Sequence, residues 1–241
     1  MSKWIHEFSK GGRVSIYVDG NISSGKSTLC SQLEEQCSEV ITTVAYPEMG
    51  HEGSTIEIYL RNINALSAMF QAHMLSMCDA REMLTTLHTS IVPDSPKLVI
   101  VDRSITGNGV FAVTNHLFTD SLGEKEMEFY TSNYEKAMRR AKGIPFAHGT
   151  VSVYLHAESH DSIRRCLKRS RDIEASSYNV PYFKNLECMA MLALLANLSL
   201  DSPHPQLVLD WCDDVSDPCG RFGAIMKGWV SRPLDGTPTR V

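Results

Sequence analysis

The sequence predicts an α/β protein in which helices cover both faces of a five-stranded parallel sheet. Five short apolar runs alternate with longer segments that carry helical patterns, and this alternation is typical of consecutive βαβ units. Polar or charged residues follow directly after several of these runs. Because the carboxyl ends of parallel strands meet at one edge of a sheet, these residues are expected to form the functional site.

The predicted strands are 14–18, 40–45, 97–101, 151–155 and 206–209. The predicted helices are 28–37, 55–66, 67–87, 104–118, 124–141, 159–171 and 182–198, with a last helix at 220–230. Proline and glycine residues separate several of these segments, as expected for loops. No internal repeat or linker is visible, so we expect one domain over 1–241, with its core in 13–215 and a loose tail at 231–241.

Composition narrows the class of protein. The net charge of −5 argues against general binding of nucleic acid, which favours a basic face. Seven cysteines without a C-x-x-C spacing indicate reduced thiols of an intracellular protein. The first residues lack the apolar segment of a secretion signal, and the apolar stretch 189–200 is shorter than a membrane span. We therefore expect a cytoplasmic protein without nucleic-acid or membrane partners.

The most specific motif lies between the first strand and the first helix, where GNISSGKS matches the pattern G-x-x-x-x-G-K-[ST] in full. Backbone amides of such a loop point into one concavity, and the following helix adds the positive end of its dipole. Lys26 can reach the β- and γ-phosphates of a nucleoside triphosphate, and Ser27 can bind Mg²⁺. A chance match in a Gly/Ser-rich turn is the alternative. The predicted phosphate-binding residues are Gly20, Asn21, Ile22, Ser23, Ser24, Gly25, Lys26, Ser27 and Thr28.

Two acidic residues follow predicted strands. Glu48 comes after the second strand and a proline, where a carboxylate can accept the proton of an attacking hydroxyl. The alternative is an exposed loop glutamate. Asp102 follows the run LVIV and can hold Mg²⁺ or its waters, or else serve as a turn or N-cap residue. Arg103 beside it can pair with a phosphate or with Glu48, or lie on the surface.

A basic segment follows the fourth strand. Residues 164–171 contain five cationic side chains in eight positions. In an acidic protein such a segment can form a flap that stabilises negative charge on a transferring phosphoryl group. The alternative is a solvated helix face that pairs with neighbouring acids.

A glutamine in the Met-rich predicted helix offers a further polar group. The side chain of Gln71, next to Phe70, has one carbonyl and one amide, which matches the donor–acceptor edge of a nucleobase. The alternative is a structural or solvent-facing glutamine in an ordinary core helix.

In their order and spacing these motifs resemble those of the deoxynucleoside kinase family, over roughly residues 13–215. The loop GNISSGKST resembles the family's GNIxSGKST, and Pro47-Glu48 lies where the family has its Glu-Pro segment with the catalytic base. Phe70-Gln71 matches the Phe-Gln that reads the base, and Asp102-Arg103-Ser104 resembles the family's Glu-Arg-Ser. Arg165, Arg169, Arg171 and Glu174 match the lid, in which arginines clamp phosphates and the acid binds the sugar 3′-hydroxyl. Tyr59 falls within one residue of the tyrosine that shares this hydroxyl.

The resemblance implies a P-loop kinase fold with a helical lid, typically a homodimer, that transfers the γ-phosphoryl group of ATP, with Mg²⁺, to the 5′-hydroxyl of a deoxynucleoside. The catalytic residues implied are Glu48, Arg103, Lys26, Arg169 and Arg171. Arg165, Arg169, Asp213 and Val215 join the glycine-rich loop in binding ATP, and Ser27 and Asp102 bind the metal. The substrate-binding residues implied are Glu48, Tyr59, Phe70, Gln71, Arg103, Asn108 and Glu174.

The departures from the family pattern bear on the substrate. The acid before Arg103 is one carbon shorter, the proline precedes Glu48, and Ile173 replaces a second lid acid. Cys78 and Asn108 stand where relatives that accept purines or prefer cytidine carry an arginine and an acid. Without that charged pair we expect a pyrimidine preference, with thymidine at least as good as deoxycytidine, in nucleotide salvage.

Two other functions share the phosphate-binding loop. A nucleoside monophosphate kinase, such as a thymidylate kinase, has a phosphate as acceptor and needs no carboxylate base. A P-loop switch or assembly ATPase needs a residue that positions a hydrolytic water, and commonly an arginine from a partner. No feature of the sequence indicates either the water-positioning residue or the partner arginine.

Overall fold

The computed structural model describes residues 14–39, 41–48, 54–91, 97–143, 150–169, 179–199, 206–210 and Gly223. Four of the predicted site residues lie outside these ranges, namely Arg171, Glu174, Asp213 and Val215. The predicted helix at 220–230, apart from Gly223, and the predicted tail also lie outside them.

Five parallel strands form a single sheet, as the sequence predicts. They are β1 (Val14–Gly20), β2 (Thr43–Tyr46), β3 (Leu98–Asp102), β4 (Thr150–His156) and β5 (Gln206–Asp210). Their order in the sheet is β2-β3-β1-β4-β5, so β1 lies at the centre between β3 and β4. The carboxyl ends of β1, β2 and β3 are therefore neighbours, although they are far apart in the chain.

Seven helices connect or flank the strands within the described ranges. They are α1 (Lys26–Ser38), α2 (Ser54–Arg61), α3 (Ile63–Ile91), α4 (Ile105–Phe118), α5 (Glu124–Gly143), α6 (Ser159–Lys168) and α7 (Val180–Ser199). None of the helices in these ranges is long and apolar enough to cross a bilayer.

Several predicted boundaries differ from the structure, and hydrogen bonds explain two of the differences. The break between α2 and α3 falls at Asn62 and not at residue 66, because the carbonyl of Asn62 accepts hydrogen bonds from both Ala65 and Leu66 and so begins the new helix. Strand β2 starts at Thr43 and not at residue 40, because the amide of Ile41 still donates to Cys37 O at the end of α1.

The two faces of β1 explain how helices come to cover both sides of the sheet. Ile16 and Val18 point toward α1 and pack in one apolar cluster with Leu29 and Leu33. Tyr17, between them, points to the opposite face, because successive strand side chains alternate. Its hydroxyl donates a 2.6 Å hydrogen bond to Glu82 of α3, so α3 covers this second face.

Candidate active site

The phosphate-binding loop has the backbone conformations that its glycines permit. Gly20 and Gly25 have φ values of 156° and 98°, in the region that other residues rarely adopt. A Cβ atom on Gly20 would also come within 2.8 Å of Leu155 O, so a side chain does not fit there. Beyond the loop, α1 starts at Lys26 and directs its amino end at the same concavity.

Lys26 is buried beneath this loop. Its Nζ donates a 2.8 Å hydrogen bond to Asn21 O, and only 5% of the residue is exposed. Burial, together with the positive charge of Arg103, lowers the pKa of Lys26 from 10.5 to about 8. The ammonium group therefore lies in a position where an added negative charge would stabilise it.

The side chain of Asn21 ties the loop to α7. Its Oδ1 accepts from Ile22 N at 2.8 Å, and its Nδ2 donates to Phe183 O at 3.1 Å. Ile22 packs with Phe183 and Cys166, so an apolar cluster links the loop to both α6 and α7. These contacts hold the loop in shape, and of its backbone amides they use only that of Ile22.

Ser27 and Asp102 lie together, as their predicted metal-binding role requires. The Ser27 hydroxyl donates a 2.6 Å hydrogen bond to Asp102 Oδ2. The second oxygen, Oδ1, is buried and has no hydrogen-bond partner in the part of the chain that the structure describes. A carboxylate and a hydroxyl are oxygen ligands of the kind that Mg²⁺ prefers, so this pair fits the ion.

Glu48 and Arg103 form a buried ion pair at the ends of β2 and β3. Arg103 Nε donates to Glu48 Oε1, and 5% and 9% of the arginine and glutamate side chains are exposed. The exposed loop glutamate and the surface arginine considered from sequence are thus both wrong. Burial lowers the pKa of Arg103, but the Glu48 carboxylate more than offsets this and raises it overall. The Arg103 guanidinium also lies 4.4 Å above the ring of Phe111.

Arg103 has a strained backbone, with φ at 70°. Its amide donates to Val18 O at 2.9 Å, which fastens the turn after β3 to the central strand. Ser104, the next residue, donates to both carboxylate oxygens of Asp19, from its amide and from its hydroxyl. A Cβ atom on Gly107 would collide with the Asp19 carboxylate, so a side chain there would displace the group that holds Ser104.

A cavity of about 370 Å³ joins these groups to the predicted substrate residues, and pockets of roughly 300–1,000 Å³ suit small organic ligands. The P-loop, Glu48 and Arg103 line this cavity. The other lining residues include Ile56, Tyr59, Phe70, Gln71, Met74, Asn108, Phe111, Arg165, Arg169 and Tyr182. The structure therefore brings the described substrate-site candidates and most of the phosphate-site candidates to one cavity, whereas Gly20, Asn21, Ser24 and Asp102 are not among its lining residues.

Two amides of the cavity wall are buried. Gln71 is 2% exposed, and its Oε1 has no hydrogen-bond partner among the described atoms. Asn108 accepts a 2.6 Å hydrogen bond from the hydroxyl of Tyr130 on its Oδ1. The solvent-facing interpretation of Gln71 is wrong, and its unpartnered carbonyl is available to a ligand.

The rings of Tyr59 and Phe70 stack in parallel, with centroids 4.0 Å apart. The Tyr59 hydroxyl accepts a hydrogen bond of 3.2 Å from Asn115, and burial raises the pKa of Tyr59 above 10.0. The hydroxyl therefore stays protonated at neutral pH and can act as a donor.

The basic segment divides into two kinds of side chain. Arg164 is exposed and pairs with Asp161 at 2.7 Å, which is the surface role considered from sequence. Arg165, by contrast, donates to Ser24 O of the P-loop at 3.3 Å. Arg169 is one turn further along and also lines the cavity.

Sequence reasoning did not identify three residues of this region. Asp19 holds Ser104, and its position directly after a strand was a signal that could have found it. Asn115 contacts Tyr59, Ser67 and Tyr182. Arg81 is 1% exposed and binds three main-chain carbonyls at the ends of β2 and β3. Local sequence patterns carry no sign of the last two roles, because their partners are distant in the chain.

The sheet order, the phosphate-binding loop on its central strand and the adjoining cavity define a P-loop phosphotransferase. A family model described as deoxynucleoside kinase matches residues 16–229. The chain therefore belongs to the deoxynucleoside kinase family, and it is an ATP-dependent kinase of that class.

Solved structures share the fold. A structure of deoxyadenosine kinase from M. mycoides with bound dCTP has a TM-score of 0.68 at 18% identity, over 90% of this chain and 100% of that chain. A second structure of that kinase, with the products dCMP and a flexible dCDP, has a TM-score of 0.69 at 17% identity, with the same coverage. A third, with bound dATP, has a TM-score of 0.67 at 18% identity, over 90% of this chain and 99% of that chain. A search of the curated proteins found no match.

Proposed function

We propose that this kinase transfers the γ-phosphoryl group of ATP to the 5′-hydroxyl of a pyrimidine deoxynucleoside. One observation carries the proposal: the buried Glu48–Arg103 pair lies in the same cavity as Lys26 and the unpartnered amide oxygen of Gln71. A hydroxyl that accepts a phosphoryl group needs a general base to take its proton. A nucleoside also offers the edge of its nucleobase to an amide side chain.

Glu48 is the proposed proton acceptor. The 5′-oxygen attacks the γ-phosphorus, the bond to the β–γ bridging oxygen breaks, and ADP leaves with the electron pair. The hydroxyl proton passes to Glu48, whose orientation is fixed by the hydrogen bond from Arg103 Nε. Arg103 can therefore hold Glu48 in place and stabilise negative charge near the attacking 5′-oxygen.

The phosphate groups would be held from two sides. Lys26 approaches from the P-loop, and Arg165 and Arg169 approach from α6 and its end. Arg171 is proposed to join them by the resemblance of the lid pattern. Ser27 and Asp102 would hold Mg²⁺, which when bound neutralises charge between the β- and γ-phosphates. Asp213 and Val215 are proposed to border the ATP site.

The nucleoside would lie against Gln71 and the stacked rings of Tyr59 and Phe70. Glu174 is proposed to bind the sugar with Tyr59. Pyrimidine preference rests on two uncharged residues: Cys78, which is buried, and Asn108, which lines the cavity. Arg81 lies one helical turn beyond Cys78, but main-chain carbonyls occupy its Nη1 and Nη2. The solved relatives with dCTP, dCMP and dATP leave both base types open for this chain.

A panel of acceptors tests the reaction. ADP release would be followed with each of the four deoxynucleosides, with each of their monophosphates, and with ATP alone. We expect release only with deoxynucleosides. Release with monophosphates would indicate a thymidylate-type kinase, for which a buried carboxylate beside the acceptor is unfavourable. Equal release without any acceptor would indicate a switch ATPase.

We further propose that the protein is a cytoplasmic homodimer that serves nucleotide salvage. The described cysteines are free thiols, as expected inside a cell. Exposed apolar side chains on α3, namely Met83, Leu84 and Leu87, are candidates for a subunit contact. Sedimentation velocity tests the dimer, and charged substitutions at these three positions would dissociate it if they form the contact.

A further inference from the structure

Arg81, on α3, is buried at the ends of two strands. Its Nη1 donates to Pro47 O at 3.1 Å and to Asp102 O at 2.8 Å, and its Nη2 donates to Arg103 O. Nη2 also lies 3.9 Å from Cys78 Sγ. The guanidinium thus connects the residue before Glu48, at the end of β2, with two residues at the end of β3.

We infer that Arg81 is a positioning residue that fixes the Glu48–Arg103 pair from behind. This inference rests on the proposed function, in which Glu48 is the base. The direction of these hydrogen bonds is certain, because a guanidinium only donates hydrogen bonds and a main-chain carbonyl only accepts them. The three carbonyls therefore have to face Arg81, and the peptide planes on either side of the ion pair are held in one orientation.

The backbone of Arg103 explains why a positioning residue such as Arg81 is needed. Its positive φ is a conformation that a side-chain-bearing residue adopts only when its surroundings impose it. On one side its amide is held by Val18 O, and on the other its carbonyl is held by Arg81. Without the second contact the residue can relax, and Nε then leaves the position in which it meets Glu48.

Placement on α3 adds a connection to the substrate. Gln71 and Arg81 are on the same helix, ten residues apart, which is about 15 Å of helical rise. Helix α3 therefore carries both Gln71, which presents its amide to the nucleoside, and Arg81, which holds the strand ends. A rigid helix keeps the base site and the catalytic pair at a constant separation.

Steady-state kinetics of Arg81→Gln and Arg81→Lys test the inference. We expect Arg81→Gln to lower kcat by about 10²-fold, the usual effect of misplacing a catalytic group by about 1 Å, with little change in KM for the nucleoside or ATP. Arg81→Lys should recover part of this loss, because an ammonium keeps the charge and some donors but cannot span both strands.

Leu75→Ala is the matched control. Leu75 is also buried on α3, but it belongs to the apolar cluster that α3 forms with α4 and α5. If Leu75→Ala lowers kcat as much as Arg81→Gln at a similar loss of Tm, Arg81 acts through stability alone and the inference is wrong. Unchanged kcat in Arg81→Gln would also overturn it. If Arg81→Gln does not fold, Arg81→Lys decides between the same outcomes.

Glu48→Gln separates this inference from the proposed function. A normal kcat in Glu48→Gln removes the proposed base, whatever Arg81 does. A large loss in Glu48→Gln with a normal kcat in both Arg81 variants leaves the proposed function standing and overturns the positioning role.

Discussion

The hydroxyl of Ser27 donates a 2.6 Å hydrogen bond to Oδ2 of Asp102, across 75 positions of sequence. Both residues lie beside the phosphate-binding loop because β1 and β3 are paired in the sheet. The contact orients the carboxylate and leaves its buried Oδ1 directed elsewhere. This pair is the proposed ligand set for Mg²⁺.

Asp102→Asn should weaken the binding of Mg²⁺ and so raise the Mg²⁺ concentration that the reaction needs. Losing the carboxylate at such a position typically changes metal affinity or activity by about 10- to 100-fold. Calorimetry of ATP binding with and without Mg²⁺ would measure the loss directly. Asp79→Asn, a surface acid paired with Arg140, is the control and should leave Mg²⁺ binding unchanged. Normal Mg²⁺ binding in Asp102→Asn would contradict the assignment.

Binding of ATP should weaken as the pH rises above about 8. The buried Lys26 has its pKa lowered to about 8, and only its protonated form attracts phosphate. Binding should therefore take up protons near this pH, which calorimetry in two buffers of different ionisation enthalpy detects. Lys26→Arg stays charged and should lose this pH dependence.

The stability of the protein without ATP should show the opposite trend. Between pH 8 and 10.5 the unfolded chain holds a proton on Lys26 that the folded chain has lost. The free energy of unfolding therefore gains a contribution that rises with pH across this window. Urea unfolding of wild type and Lys26→Met at several pH values would show whether the slope depends on this lysine.

Glu48→Gln should lower kcat by about 10²–10⁴-fold while nucleoside binding persists, because the amide cannot accept the proton. Turnover and nucleoside affinity would be measured separately. Glu57→Gln provides the control, since Glu57 is exposed and pairs with Arg61 within α2. Loss of binding alone would show that Glu48 holds the substrate without acting as base.

Arg165→Ala and Arg169→Ala should reduce turnover more than nucleoside affinity, by about 10²-fold for a lost donor to the transition state. Arg164→Ala is the matched control on the same helix, because Arg164 faces Asp161 at the surface. Similar small effects from all three substitutions would favour a solvated helix face. Arg171 is expected to behave like Arg169.

Values of kcat/KM at saturating ATP should place thymidine at or above deoxycytidine, and both above the purine deoxynucleosides. Tyr130→Phe should not change this order, because Tyr130 contacts Asn108 and not the cavity. A higher value for deoxyadenosine or deoxyguanosine would overturn the preference. If Tyr130→Phe then altered the purine value, Asn108 would be the residue that reads the purine edge.

The sequence by itself determined the elements and the place of the site. Apolar runs with short-range periodicity predict strands and helices, and the P-loop carries its own geometry through Gly20, Gly25 and Lys26. The rule that strand ends meet placed Glu48 and Asp102 at one edge of the sheet before any contact was known. These signals are local, so they are readable without the fold.

Only the tertiary structure decided which polar groups are paired. Glu48 meets Arg103, and Arg165 meets Ser24 across 141 positions, because the order β2-β3-β1-β4 brings their elements together. Arg81 resembles any helical arginine in the sequence, yet it is buried against three carbonyls. Burial of a polar group depends on what distant segments supply as its partners, and no local pattern contains that information.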